Sequence, residues 1–172
     1  MKIAAWIVAA LVLLVGVVAL WGSRLPVAHV ATRVLRLGQP RDTVWKLLTD
    51  FPNQAAWRSD VKSVRRKDGA AKETWIEDGS NGEMPLETTE MEAPHRLVRT
   101  IADPSLPFGG SWTYELAEEG TGTRLTITEN GEVRQPIFRF ISHYVMNQAG
   151  TIEGVMKALA THFGETARIT GS

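Results

Sequence analysis

Residues 3–22 contain no charged side chain, and no other stretch constrains the chain as much. At about 1.5 Å per residue, an α-helix of that length reaches roughly 30 Å, the thickness of a bilayer's hydrocarbon core. Ile3 and Gly22 bound the stretch, Lys2 precedes it and Arg24 follows it closely. Trp6 and Trp21 lie near its ends, where indole rings favour the headgroup region. A cleaved secretory signal is the competing reading, because Lys2 supplies a short basic start. Against it, the run exceeds the roughly 7 to 15 apolar residues of a usual signal core, and neither Leu20-Trp21-Gly22 nor His29-Val30-Ala31 offers a small-x-small cleavage pattern. A soluble core helix would need burial on every side by the rest of the chain. The expected organisation is a transmembrane anchor over 1–23, a linker over 24–29, one folded domain over 30–165 and a flexible tail over 166–172. The expected location is the cell membrane, crossed once. Arg24, Arg33 and Arg36 after the helix, against Lys2 before it, favour a cytoplasmic domain, with a periplasmic or extracellular one left open.

Composition removes several function classes. The 172 residues hold 19 basic and 19 acidic side chains, so no net charge attracts a polyanion and no nucleic-acid partner is expected. With no Cys, structural disulfides, thiolate zinc sites and thiol nucleophiles are excluded. His29, His95, His143 and His162 have no zinc-motif spacing, and no metal or cofactor is implied. Gly120-Thr121-Gly122 lacks the third glycine and the strand-helix context of a dinucleotide fingerprint and reads as a hairpin turn. There is no phosphate loop and no G-x-S-x-G elbow.

Beyond the anchor, residues 30–37 are rich in β-branched and aliphatic side chains and predict a strand. Pro40 and Asp42 open a short helix on which Val44, Leu47, Leu48 and Phe51 share one face; Pro52 ends it, and Asn53 is expected to cap a second short helix through Trp57. Strands follow over 61–67, 72–77, 83–92, 96–102, 111–117 and 123–133, separated by Asp68-Gly69, Asp78-Gly79, Asn81-Gly82 and other turn chemistry. In the last pair Trp112, Tyr114 and Leu116 share a face, as do Leu125 and Ile127 on the partner strand. From Pro136, apolar residues recur at spacings of three and four through Ile137, Ile141, Tyr144, Gln148, Ile152, Val155, Leu159 and Phe163. This predicts one long helix of about 28 residues, bent if anywhere near Gly150 and Gly154. The order is α+β, with the long helix burying its stripe on a twisted antiparallel sheet.

This order resembles the START-like helix-grip superfamily, also called SRPBCC, and within it the polyketide cyclase/dehydrase-like branch. The resemblance rests on Pro40-Arg41-Asp42-Thr43-Val44-Trp45-Lys46-Leu47-Leu48-Thr49-Asp50-Phe51 with Trp57, on Ala93-Pro94-His95-Arg96-Leu97, and on Gly110-Ser111-Trp112-Thr113-Tyr114-Glu115-Leu116 with Gly122-Thr123-Arg124-Leu125. The helix opening Pro136-Ile137-Phe138-Arg139-Phe140 completes it, and the whole covers roughly residues 29 to 165. It implies a curved antiparallel sheet wrapped around a long C-terminal helix, with a hydrophobic cavity between them that takes a lipid or another apolar small molecule. The fold label does not supply a reaction.

Candidate cavity residues are Trp57, Arg99, Trp112, Tyr114, Ile141, Tyr144 and Gln148. Each has a plainer role as packing or rim. Glu87 and Glu90, Asp50 and His143 read as surface, helix-end or capping groups. The leading expectation is a membrane-anchored domain holding a hydrophobic small molecule or lipid, anchored through residues 3–22. The alternatives are a ligandless module for a membrane-protein partner, marked by a filled core and an exposed apolar patch, and a cyclase or dehydratase, which needs two cavity-facing polar groups within proton-transfer reach.

Overall fold

The computed structural model describes residues 2–80, 82–145 and 149–171. Helix α1, Lys2–Ser23, presents its apolar side chains outward along almost its whole length. It is long and apolar enough to cross a membrane, the description that a signal sequence also meets. Gly22 is the exception to its exposure. A Cβ there would collide with the Pro136 backbone carbonyl, so only glycine lets the two backbones meet.

Strand β1, Ala28–Leu37, leads into α2, Arg41–Thr49, and a 3-10 helix, Phe51–Ala56. Pro40 precedes α2 and Asp42 lies in its first turn, where a carboxylate meets the positive end of the helix dipole. Asp50 rather than Asn53 holds the N-cap position of the second short helix, with no side-chain capping hydrogen bond. The Asn53 amide donates instead to both Asp50 carboxylate oxygens, at 2.9 and 3.0 Å.

Six strands then run as a meander: β2 (Val61–Arg66), β3 (Thr74–Gly79), β4 (Gly82–Glu92), β5 (Arg96–Ile101), β6 (Phe108–Glu119) and β7 (Gly122–Val133). The turn residues place each reversal where hairpin geometry accepts it. All pairings are antiparallel, and with β8 at Ile169–Gly171 the curved sheet has the order β2-β3-β4-β5-β6-β7-β1-β8, so β1 returns to pair with the last strand of the meander. The register sets Tyr114 opposite Ile127 and Leu116 opposite Leu125, which brings the two alternating apolar rows onto one face.

The long C-terminal helix divides. Helix α3 covers Pro136–Tyr144 and α4 covers Gly150–His162. Helix α4 buries Ile152, Val155, Met156, Leu159 and Ala160 at helical spacing against Leu35, Leu37, Leu97, Leu125 and Ile127 of the sheet. Helix α3 buries none of its residues and packs on the end of α1. The stripe that reads as continuous in sequence therefore serves two surfaces.

The tail differs from expectation as well. Ile169–Gly171 forms β8 and pairs with β1, with Leu35 opposite Ile169. This pairing covers the Arg33–Leu35 part of the edge that β1 would otherwise present to solvent.

Candidate ligand cavity

The face of the sheet beneath α4 closes around a cavity of about 40 Å³. Its apolar wall comes from Leu48 of α2, Phe51 of the 3-10 helix, Leu97, Ile127, and Ile152 and Val155 of α4. That volume holds a few waters, well under the 300 to 1,000 Å³ of a typical small-molecule pocket. Polar groups share its wall with the apolar ones.

Two arginines line it, in opposite electrostatic situations. Arg58, just after the 3-10 helix, is fully engaged. It donates to Glu77 Oε2 at 3.0 Å, to Gln54 Oε1 at 2.9 Å and to Asp60 Oδ2 at 2.7 Å. Burial by itself would lower its pKa, but the Asp60 hydrogen bond and the negative charges of Glu77 and Asp60 raise it above the usual arginine value. Arg99 on β5 is 3% exposed and has much less. Its Nη2 donates to the Leu86 carbonyl at 3.2 Å, its guanidinium lies 3.9 Å from the centre of the Phe51 ring, and its Nε has no hydrogen-bond partner among the described residues. Burial pushes the Arg99 pKa down, opposed by the more distant charge of Glu77.

Other donors face the same space. Trp57 Nε1 is buried and also unpartnered among the described residues. Tyr114 keeps some accessible ring surface along the wall, while burial pushes its hydroxyl up to about 12, so it stays protonated and able to donate at neutral pH. Trp112 points its indole N–H away from the ligand space, to Glu129 Oε2 at 2.9 Å. Glu129 in turn lies 3.5 Å from His29 Nε2. Burial raises the Glu129 pKa, moderated by the Trp112 hydrogen bond and by His29.

Trp57, Arg99, Trp112 and Tyr114 thus come together in one lining. Ile141 and Tyr144 do not join it. They sit on α3, which packs against the end of α1, and the Tyr144 hydroxyl accepts a hydrogen bond from Trp21 Nε1 of α1 at 3.2 Å. Gln148 lies outside the described residues. Gln54, Arg58 and Glu77 are lining residues that sequence reasoning missed. One signal was present: Glu77 is two residues from Trp75, and alternation puts both on the face where Trp75 packs toward Phe51. Glu87 and Glu90 are spoken for at the surface by Lys72 and Arg96, at 2.7 and 2.8 Å.

A family described as polyketide cyclase / dehydrase and lipid transport matches residues 29–164. Among solved structures, a START superfamily protein from Mycobacterium smegmatis superposes with a TM-score of 0.61 at 14% identity, covering 78% of this chain and 96% of that one. Norcoclaurine synthase from Thalictrum flavum gives 0.60 at 12% identity over 81% and 88%. The di-domain ARO/CYC BexL from the BE-7585A biosynthetic pathway gives 0.55 at 18% identity over 84% of this chain and 49% of that one. At these identities the likeness is one of fold. Among curated proteins no sequence match is found.

Proposed function

The chain belongs to the polyketide cyclase / dehydrase and lipid transport family, and from that premise we propose that it is a membrane-anchored binding protein for a hydrophobic small molecule or lipid. The ligand enters between α4 and the sheet. The observation that carries this reading is Arg99: a buried cation with an unpartnered Nε, beside a second orphaned donor at Trp57. An unpaired buried donor costs roughly 1–3 kcal/mol, and more when it belongs to a charged group. A ligand carbonyl, carboxylate or phosphate oxygen would recover that cost while its apolar body lies along Leu97, Ile127, Ile152 and Val155. Because the cavity is smaller than such a ligand, entry has to enlarge it, which couples binding to a change of shape.

Anchoring rests on α1. The charge balance across it reduces to Lys2 against Arg24, since Arg33 and Arg36 are paired inside the folded domain with Glu153 and Glu119, each at 3.0 Å. With one basic residue on each side, the charge pattern favours neither placement of the domain.

Binding is better supported than catalysis. A cyclase or dehydratase needs two cavity-facing groups that can pass a proton, whereas Glu77, the carboxylate in the lining, is committed to Arg58 at 3.0 Å, which leaves the protonated Tyr114 without a free base among the described lining residues. The ligandless module has two observations in its favour, the small cavity and the exposed apolar side chains of α3.

Native mass spectrometry of detergent-extracted full-length protein, with lipid analysis of what is released, separates these readings. We expect an apolar adduct that carries an acceptor group, and at least tenfold weaker retention in Arg99→Met. Retention unchanged in Arg99→Met removes Arg99 from recognition. A wild-type protein that stays bare when offered a panel of acyl and polycyclic carboxylates removes the binding reading and leaves the partner module.

A further inference from the structure

Helix α3 is amphipathic, and its sides have different surroundings. Arg139, Ser142 and His143 line a shallow pocket with Val27, Ala28 and His29, facing the folded domain. Phe140 and Tyr144 stack at 4.9 Å, with Phe140 beside Gly22 and Tyr144 accepting from Trp21. On the outward side Phe138 is 50% exposed and Val145, just past the helix end, 75% exposed, with Ile137 and Ile141 also exposed. A contiguous outward apolar surface of this kind marks an interaction site.

Its occupant follows from what it is fixed to. Arg139 donates to the carbonyls of Ser23 at 3.4 Å and Leu25 at 3.1 Å, just where α1 ends. With the Gly22 and Pro136 backbones in contact, α3 is held at the level of Trp21. If α1 spans the membrane, lipid covers its exposed apolar residues up to that same level, so the outward face of α3 continues a surface that lipid already contacts. Trp21 and Tyr144, hydrogen-bonded to each other, are the residue types that settle at the headgroup boundary. We infer that α3 is an interfacial helix whose partner is the bilayer surface itself: Phe138, Ile141 and Val145 enter the acyl boundary while Arg139, Ser142 and His143 face the domain. This inference rests on α1 being the anchor, as proposed above.

The absence of Cys makes site-directed labelling direct. Full-length chains carrying Val12→Cys, Phe138→Cys, Val145→Cys or Thr121→Cys, each with a nitroxide label, are reconstituted into phosphatidylcholine vesicles containing phosphatidylglycerol. Collision with oxygen is compared with collision with a water-soluble nickel complex. Position 12 should be deepest in lipid, position 121 aqueous, and positions 138 and 145 several-fold more oxygen-accessible relative to nickel than 121. Labels at 138 and 145 that match 121, while 12 lies in lipid, overturn the interfacial helix and leave the anchor standing. Labels at 138 and 145 shielded from both reagents mean that a protein covers this face, which also overturns it. An aqueous label at position 12 removes the anchor reading and this inference together.

Discussion

Helices α3 and α4 are neighbours in sequence with apolar residues at the same spacing, yet one buries nothing and the other supplies a large share of the core. Apolar periodicity tells which face of a helix avoids water and not what covers that face. For α4 the cover is the sheet. For α3 it is the end of the anchor and, by the inference above, the lipid around it. The chain thus has an interior side, where polar groups must find protein partners or a ligand, and an outer side, the membrane side of the inference above, where apolar groups lack partners among the described residues.

The contrast can be tested by perturbing each side. The largest effect is expected from Leu159→Asp, which puts a carboxylate at a fully buried position of α4. Loss of the packed side chain and burial of a charge together should cost more than about 4 kcal/mol and leave no cooperative thermal transition. A normal melting curve would mean that α4 does not cover the sheet as described. Next comes Glu77→Ala, expected to lower stability by about 3–5 kcal/mol in urea unfolding, because it strips a buried cation of a principal partner. A cost below about 1 kcal/mol would show that Asp60 and Gln54 suffice for Arg58.

A smaller effect concerns pH. Burial raises the Glu129 pKa above that of the unfolded chain, so the native state binds the proton more tightly. This contribution to stability is complete below the ordinary carboxylate range and is lost as pH rises through the folded value. Glu129→Gln should flatten the decline in melting temperature over that window, and an unchanged pH profile would assign the decline elsewhere. The smallest effect belongs to the membrane side. Phe138→Ser should change the unfolding free energy in detergent by no more than about 0.5 kcal/mol. A cost as large as that of a core truncation would place Phe138 in the folded interior and erase the distinction between the two helices.

Much of the interior side is legible in the sequence. Asp-Gly and Gly-Thr-Gly turns mark reversals of the meander, and strict alternation points Trp112, Tyr114 and Leu116 inward. Arg99 shares a face with Leu97, so its place in the lining follows from period two. The rest depends on contacts that no local pattern records. The stripe from Ile141 through Tyr144 to Ile152 keeps helical spacing across the break, so periodicity gives no sign that its two halves meet different partners. Arg58 and Glu77 are brought together only by the seating of the 3-10 helix on the sheet, which turns two charges of ordinary surface type into a buried pair. Ile169–Gly171 is too short to announce a strand, and it becomes one because β1 offers an unpaired edge.

The position of β1 has a mechanical consequence. The chain leaves α1 and within a few residues enters this strand, which pairs with β7 from Ala28 opposite Glu132 to Leu37 opposite Thr123. Tension transmitted along the tether therefore runs lengthwise down β1. The hydrogen bonds of that seam share the load in shear instead of opening one after another, as they would if the pull came across the strand. If α1 is held in lipid, a pull on the domain reaches the fold at this seam, whose β7 side also carries Ile127 of the cavity wall.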